Sequence, residues 1–64
     1  MTYSKYWFIE YVNCIYEGEV EGFEHYEAVD ADFVINYMKE QTGLDVEAYP
    51  CTKYDLYASN VDIW

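Results

Sequence analysis

Among the groups in this chain able to move a proton, act as a nucleophile or hold a metal are one histidine, two cysteines and thirteen side-chain carboxylates. Nucleophilic catalysis needs a nucleophile, a base within hydrogen-bond reach and a third group that orients the base. His25 lies between Glu24 and Tyr26, and only a hairpin would bring Cys14 near it. A partly exposed strand histidine is the simpler reading of His25. Two carboxylates across a cleft can hydrolyse a glycosidic bond. With thirteen acids in 64 residues some pair is always close. Proximity therefore carries no information, and a chain this short rarely builds the cleft. Cys14 and Cys51 form no CxxC, and Asp30-x-Asp32 matches only the opening of a calcium-binding loop. Gly18, Gly22 and Gly43 lack phosphate-loop spacing. The reading is a non-enzymatic binding protein, with no catalytic residue, metal or cofactor assigned.

The acids themselves are the informative feature. Seven fall between positions 17 and 32: Glu17, Glu19, Glu21, Glu24, Glu27, Asp30 and Asp32. Only His25 can carry positive charge in that window. Residues two apart on a strand project from one face roughly 6.6 Å apart. Glu17, Glu19 and Glu21 are thus expected to form a row, continued by Glu27, Asp30 and Asp32 to the start of a helix. A spaced row of carboxylates imitates a run of phosphates. Nine tyrosines accompany it, more than a small core can bury. Tyrosine is favoured at binding surfaces because it offers apolar area and a hydroxyl at low entropy cost. Tyr16 and Tyr26 join the seven acids as the candidate partner-binding set.

The whole chain carries 13 Asp and Glu against 3 basic residues, a formal charge of −10. That balance disfavours direct contact with nucleic acid or with an anionic membrane, since both attract basic patches. It favours a basic protein surface. The same charge also keeps an aromatic-rich chain soluble, a second account that the sequence leaves open. In length, acidity and the Tyr/acid mixture of the 17–32 window, the chain resembles small phage-encoded inhibitors: anti-CRISPR proteins, anti-restriction proteins and uracil-DNA glycosylase inhibitors, several of which are DNA mimics. The resemblance implies a stoichiometric inhibitor that occupies the basic, nucleic-acid-binding groove of a host protein such as a nuclease. The alternative is a homodimer or accessory module that uses an aromatic sheet face.

Elements must position these groups. The segment 5–16 reads as a long strand rich in aromatic and β-branched residues. Tyr6, Phe8, Glu10, Val12, Cys14 and Tyr16 share one face, and Trp7, Ile9, Tyr11, Asn13 and Ile15 the other. Both faces are largely apolar, which predicts a central strand or one whose second face meets something. A turn at 17–19 leads to a second strand over 20–29. There Gly22 marks a bulge or bend, and Phe23, Tyr26 and Ala28 are candidates for the inner face. Asp30 is a helix N-cap, and Ala31, Val34, Ile35 and Met38 form an apolar stripe widened by Phe33 and Tyr37. Gly43 fits the left-handed position after a helix spanning 31–42. A third strand is expected over 45–49, ended or placed at an edge by Pro50. The segment 53–58 reads either as a fourth strand or, from Thr52-x-x-Asp55, as a helical turn with a capping box. The tail 60–64 is pinned if Ile63 or Trp64 finds a pocket. The fold class is α+β: one domain over 1–64, with a small antiparallel sheet of three to four strands and one helix on a face (ββαβ or ββαββ). The segment 1–13 has no basic region followed by a long apolar run, so a cytoplasmic location with reduced thiols is expected, in the host cell if phage-encoded.

Overall fold

The computed structural model describes residues 2–64. Strand β1 (Ser4–Val12) is central in a three-stranded antiparallel sheet of order β2-β1-β3, flanked by β2 (Val20–Val29) and β3 (Asp45–Cys51). Helix α1 (Ala31–Thr42) follows β2, and a short helix α2 (Lys53–Ala58) follows β3. This is the α+β arrangement expected, with a helix where the fourth strand was one option.

Alternation along β1 decides which side is the core. Trp7, Ile9 and Tyr11 are buried on one face with Phe23 of β2, Val46 of β3 and Val34 and Met38 of α1. The α1 stripe lands as spaced: Val34 and Met38 are buried, and Ala31 and Ile35 pack beside them. The ends of α1 are set locally. The Asp30 carboxylate accepts the Phe33 N–H at 2.9 Å. Gly43 takes φ 74° and donates its N–H to the Lys39 carbonyl at 2.8 Å, a stop that glycine adopts without steric cost.

The opposite face of the sheet also meets something, as its apolar character predicts, and that something is α2. Thr52 Oγ1 accepts the Asp55 N–H and the Asp55 carboxylate accepts the Thr52 N–H, a complete capping box. The helix carries Leu56 into full burial over Gly22. Gly22 thus marks a close approach, not the bulge. The bulge lies further along β2, where two steps of β1 (from Ser4 to Tyr6) oppose five of β2 (from Val29 back to Glu24). It does not turn Tyr26 and Ala28 inward: both are exposed, and only Phe23 of the three expected there is buried.

Two further boundaries differ from expectation. β1 stops at Val12 because Asn13 adopts a left-handed φ of 54°, which a short polar side chain tolerates. Cys14, Ile15 and Tyr16 therefore belong to a loop over 13–19, not to the strand. β3 runs through Pro50 to Cys51, permitted because β3 is an edge strand. The tail is pinned, by backbone more than by a pocket. Gly22 N–H donates to the Asp62 carbonyl at 2.6 Å and Trp64 N–H to the Gly22 carbonyl at 2.9 Å. Residues 62–64 thus extend the sheet as a short parallel strip outside β2.

Candidate functional site

The ladder fixes where each acid points. Ile9 of the core face pairs with Glu21, and Tyr6 of the opposite face pairs with Glu24. Three residues apart, Glu21 and Glu24 therefore leave the sheet on opposite sides. Glu21 lies over the α1 side, and Glu24 lies beside α2, where the Tyr57 hydroxyl donates to it at 3.4 Å. β2 begins at Val20, so Glu17 belongs to the 13–19 loop and not to the ribbon. Glu27 sits in the bulge, where its N–H donates to His25 Nδ1 at 3.1 Å. Asp30 caps α1 and Asp32 lies in its first turn.

The single row expected from the spacing is thus not formed. Asp30 and Asp32 lie at one end of α1 and Glu19 and Glu21 at the other, across a helix that at 1.5 Å per residue is about 18 Å long, while Glu24 faces the other side of the sheet. Asp30 and Asp32 border a cleft of about 320 Å³ whose walls include Trp7, Ala48 and Pro50. Glu19 and Glu21 border another of about 270 Å³, closed by Tyr11, Tyr16, Thr42 and Leu44. The two tyrosines of the candidate set are likewise apart. Tyr16 leans on Tyr11, with ring centroids 5.9 Å apart. Tyr26, 79% exposed, stacks on His25 near the bulge. Of the nine residues, the structure brings Tyr16, Glu19 and Glu21 into one cleft, with Glu17 in the adjoining loop.

None of the seven acids is engaged by a cation among the described residues. The one ion pair there joins Lys39 to Asp45 at 3.1 Å, both well exposed. Neutral donors do reach Glu21. The Tyr11 hydroxyl donates to its Oε1, and the Trp64 indole N–H donates to the same oxygen at 2.9 Å. Burial raises the Tyr11 pKa to about 12, with help from the Glu21 carboxylate, which accepts the phenol proton and repels a phenolate. Tyr49 is raised too, first by its hydrogen bond to Glu47.

Tyr11, Trp64, Thr42 and Leu44 were not in the sequence-based set. Tyr11 shares the parity of Trp7 and Ile9, but its meeting with Glu21 depends on a hairpin register that the misplaced end of β1 concealed. His25 is ringed by Phe23, Tyr26 and Phe33, with the Phe33 centroid 5.0 Å away. Cys14 lies beyond the opposite end of β1, so hairpin pairing does not join it to His25. No group of three or more His, Cys, Asp or Glu is placed to hold a metal among the described residues. Among the described residues no helix is long and apolar enough to cross a membrane. Compared with known proteins, the chain matches no family model, no curated protein and no solved structure.

Proposed function

We propose that the protein works by binding the basic, nucleic-acid-binding groove of a host protein such as a nuclease, as a stoichiometric inhibitor. The contact centres on the end of the molecule that carries Tyr16, Glu17, Glu19 and Glu21. The remaining acids, Glu24, Glu27, Asp30 and Asp32, contribute to the long-range field and not to one continuous row of contacts. The observation that carries this reading is charge left unneutralised beside exposed rings. Against 13 acids there are 3 basic residues, with one ion pair among the described residues, and Tyr16 stands half exposed at the acidic cleft. Such a field speeds encounter with a basic partner and weakens as salt is added.

The test is capture from bacterial lysate on the immobilised chain, with competition by duplex DNA. Retained proteins should be nucleic-acid-binding, should be released by the DNA and by moderate salt, and should fail to bind the Glu17→Lys/Glu19→Lys/Glu21→Lys variant. The Glu17→Lys/Glu19→Lys variant, which leaves the Glu21 hydrogen bonds intact, controls for misfolding. Retention indifferent to both DNA and charge reversal would remove the proposal.

A second reading is favoured by a different observation. Phe33 and Tyr37 of α1 and His25 and Tyr26 of β2 form an aromatic ridge, with Phe33 and Tyr37 stacked at 6.2 Å and all but His25 exposed. A homodimer would cover that ridge. Light scattering at low and high salt distinguishes this: a dimer that persists at high salt supports it, and a monomer at every concentration rejects it.

A further inference from the structure

The cleft beside Tyr16 has more definition than an acidic patch, and its walls specify a ligand. We propose that it receives one arginine side chain of the basic partner; this rests on the reading of the protein as a binder of basic surfaces. The cavity of about 270 Å³ has three kinds of wall. Tyr16, with part of its ring in solvent, and the buried Tyr11 supply aromatic surface tilted at 57° to one another. Thr42, the last residue of α1, and Leu44, just beyond its cap, supply surface of low polarity. Glu19 and Glu21 supply the carboxylates.

Each wall suits a different part of arginine. The three-carbon stem packs on apolar surface while the charged head stays at the mouth. The guanidinium plane stacks on a tyrosine face, an attraction that a cation gains from the ring quadrupole. Its five donors match carboxylates in a forked geometry that the ammonium of lysine cannot reproduce.

Glu21 is held ready for this. The Tyr11 hydroxyl and the Trp64 indole N–H both donate to Oε1, which fixes the carboxylate and leaves Oε2 to accept from the guanidinium. A fixed acceptor loses little freedom on binding. The terminal strip 62–64, which carries Trp64 along the outer edge of β2, is therefore a positioning element for the cleft. A metal ion fits the site poorly, because two carboxylates and two rings are too few oxygen ligands for a hard cation.

The experiment is a ¹H–¹⁵N NMR titration of the whole chain with acetyl-Gly-Arg-Gly-amide, alongside the citrulline and lysine analogues. Saturable shifts are expected at Tyr11, Tyr16, Glu19, Glu21, Thr42 and Leu44. The arginine peptide should bind several-fold tighter than the lysine peptide, and citrulline should not bind. Tyr16→Ala and Glu19→Gln, both at exposed positions, should each weaken arginine binding by about fivefold, the scale of one cation–π or charged contact. Asp32→Asn, at the far end of α1, should leave it unchanged. Trp64→Phe, which removes only the indole donor, should weaken arginine binding while leaving lysine binding almost unaltered. The proposal is overturned if no saturable shift appears in the millimolar range. It is equally overturned if the shifts follow carboxylates all over the surface, or if Tyr16→Ala is without effect. In those cases salt-sensitive capture of a basic partner can still occur, so the cleft fails without the broader function failing. An arginine-selective cleft together with charge-independent capture is the opposite result.

Discussion

Replacing Gly22 by alanine tests the placement of α2 and of the terminal strip in one step, because the expected sign depends on them. Gly22 is an ordinary strand residue, without a positive φ. On an open strand, glycine to alanine stabilises by about 0.4–1 kcal/mol, since the unfolded chain has less freedom to lose. Here the added methyl meets Leu56 Cδ2 at 3.0 Å, Ile63 Cγ1 at 3.2 Å and the Asp62 carbonyl oxygen at 3.3 Å. Leu56 is 1% exposed, and residues 62–64 are tied to Gly22 by two backbone hydrogen bonds. Neither neighbour yields freely. Overpacking a fitted site costs about 1–3 kcal/mol, so the net effect is a loss of roughly 0.5–2 kcal/mol. In a domain this small each kcal/mol moves the melting temperature by about 4–8 °C, so the variant should melt several degrees lower. Leu56→Ala alone should cost about 2–5 kcal/mol. It also vacates the nearest contact, so Gly22→Ala should cost at least about 1 kcal/mol less in that background than alone. Urea unfolding followed by tryptophan fluorescence reads all four corners of the cycle. A stabilising Gly22→Ala, additive with Leu56→Ala, would refute the packing of α2 and the strip on β2.

Three other outcomes follow from the same structure. Thr52→Ala removes one arm of the capping box and should cost about 1 kcal/mol, with faster hydrogen exchange at the Asp55 amide; Thr52→Ser should be near neutral. Tyr11 makes stability depend on alkaline pH. Below pH 10 the folded and unfolded chains both hold the phenol proton, whereas between 10 and about 12 only the folded chain does, so this contribution is whole below pH 10 and is lost as pH rises through that window. The loss is at most about 3 kcal/mol, and it should appear as the difference between the parent chain and Tyr11→Phe in urea melts across that range. Trp64→Ala should release the strip and expose the Gly22 and Glu24 amides to exchange, while the core amides of β1 remain protected.

Helix α1 was legible to the residue because its signals are local: an Asp30 cap, a stripe at 3.6-residue spacing and a glycine stop. The strands were legible in their succession along the chain and less so in their boundaries. Asn13 ends β1, yet alternation alone continues through Cys14 and Tyr16, since a single left-handed residue leaves no trace in hydrophobic pattern. Around Leu56, period-2 and capping-box signals compete within six residues, and what decides is the space above Gly22, a tertiary fact. The acidic row was the least legible feature. It assumed that Glu17, Glu19 and Glu21 share one face of a ribbon and that Glu27, Asp30 and Asp32 carry the row on to the helix start, whereas Glu17 lies in a loop and a bulge intervenes at Glu27 before the cap. Each transition re-aims the carboxylates. What spacing alone supplied was the neighbourhood of Tyr16, Glu19 and Glu21, and only the hairpin register could add Tyr11.

The two margins of the sheet differ in kind. Outside β2 the hydrogen-bonding groups around Gly22 are answered by the chain's own terminal residues, whereas outside β3 no strand follows among the described residues. That bare margin carries Pro50, which interrupts any incoming ladder, and it belongs to a molecule whose copies repel one another through ten net negative charges. The second safeguard is conditional. Near the isoelectric point of about 4.1 the repulsion vanishes, and one proline is left to keep neighbouring molecules from zipping together side by side. Storage in mild acid is therefore the condition under which this chain is most exposed to ordered aggregation.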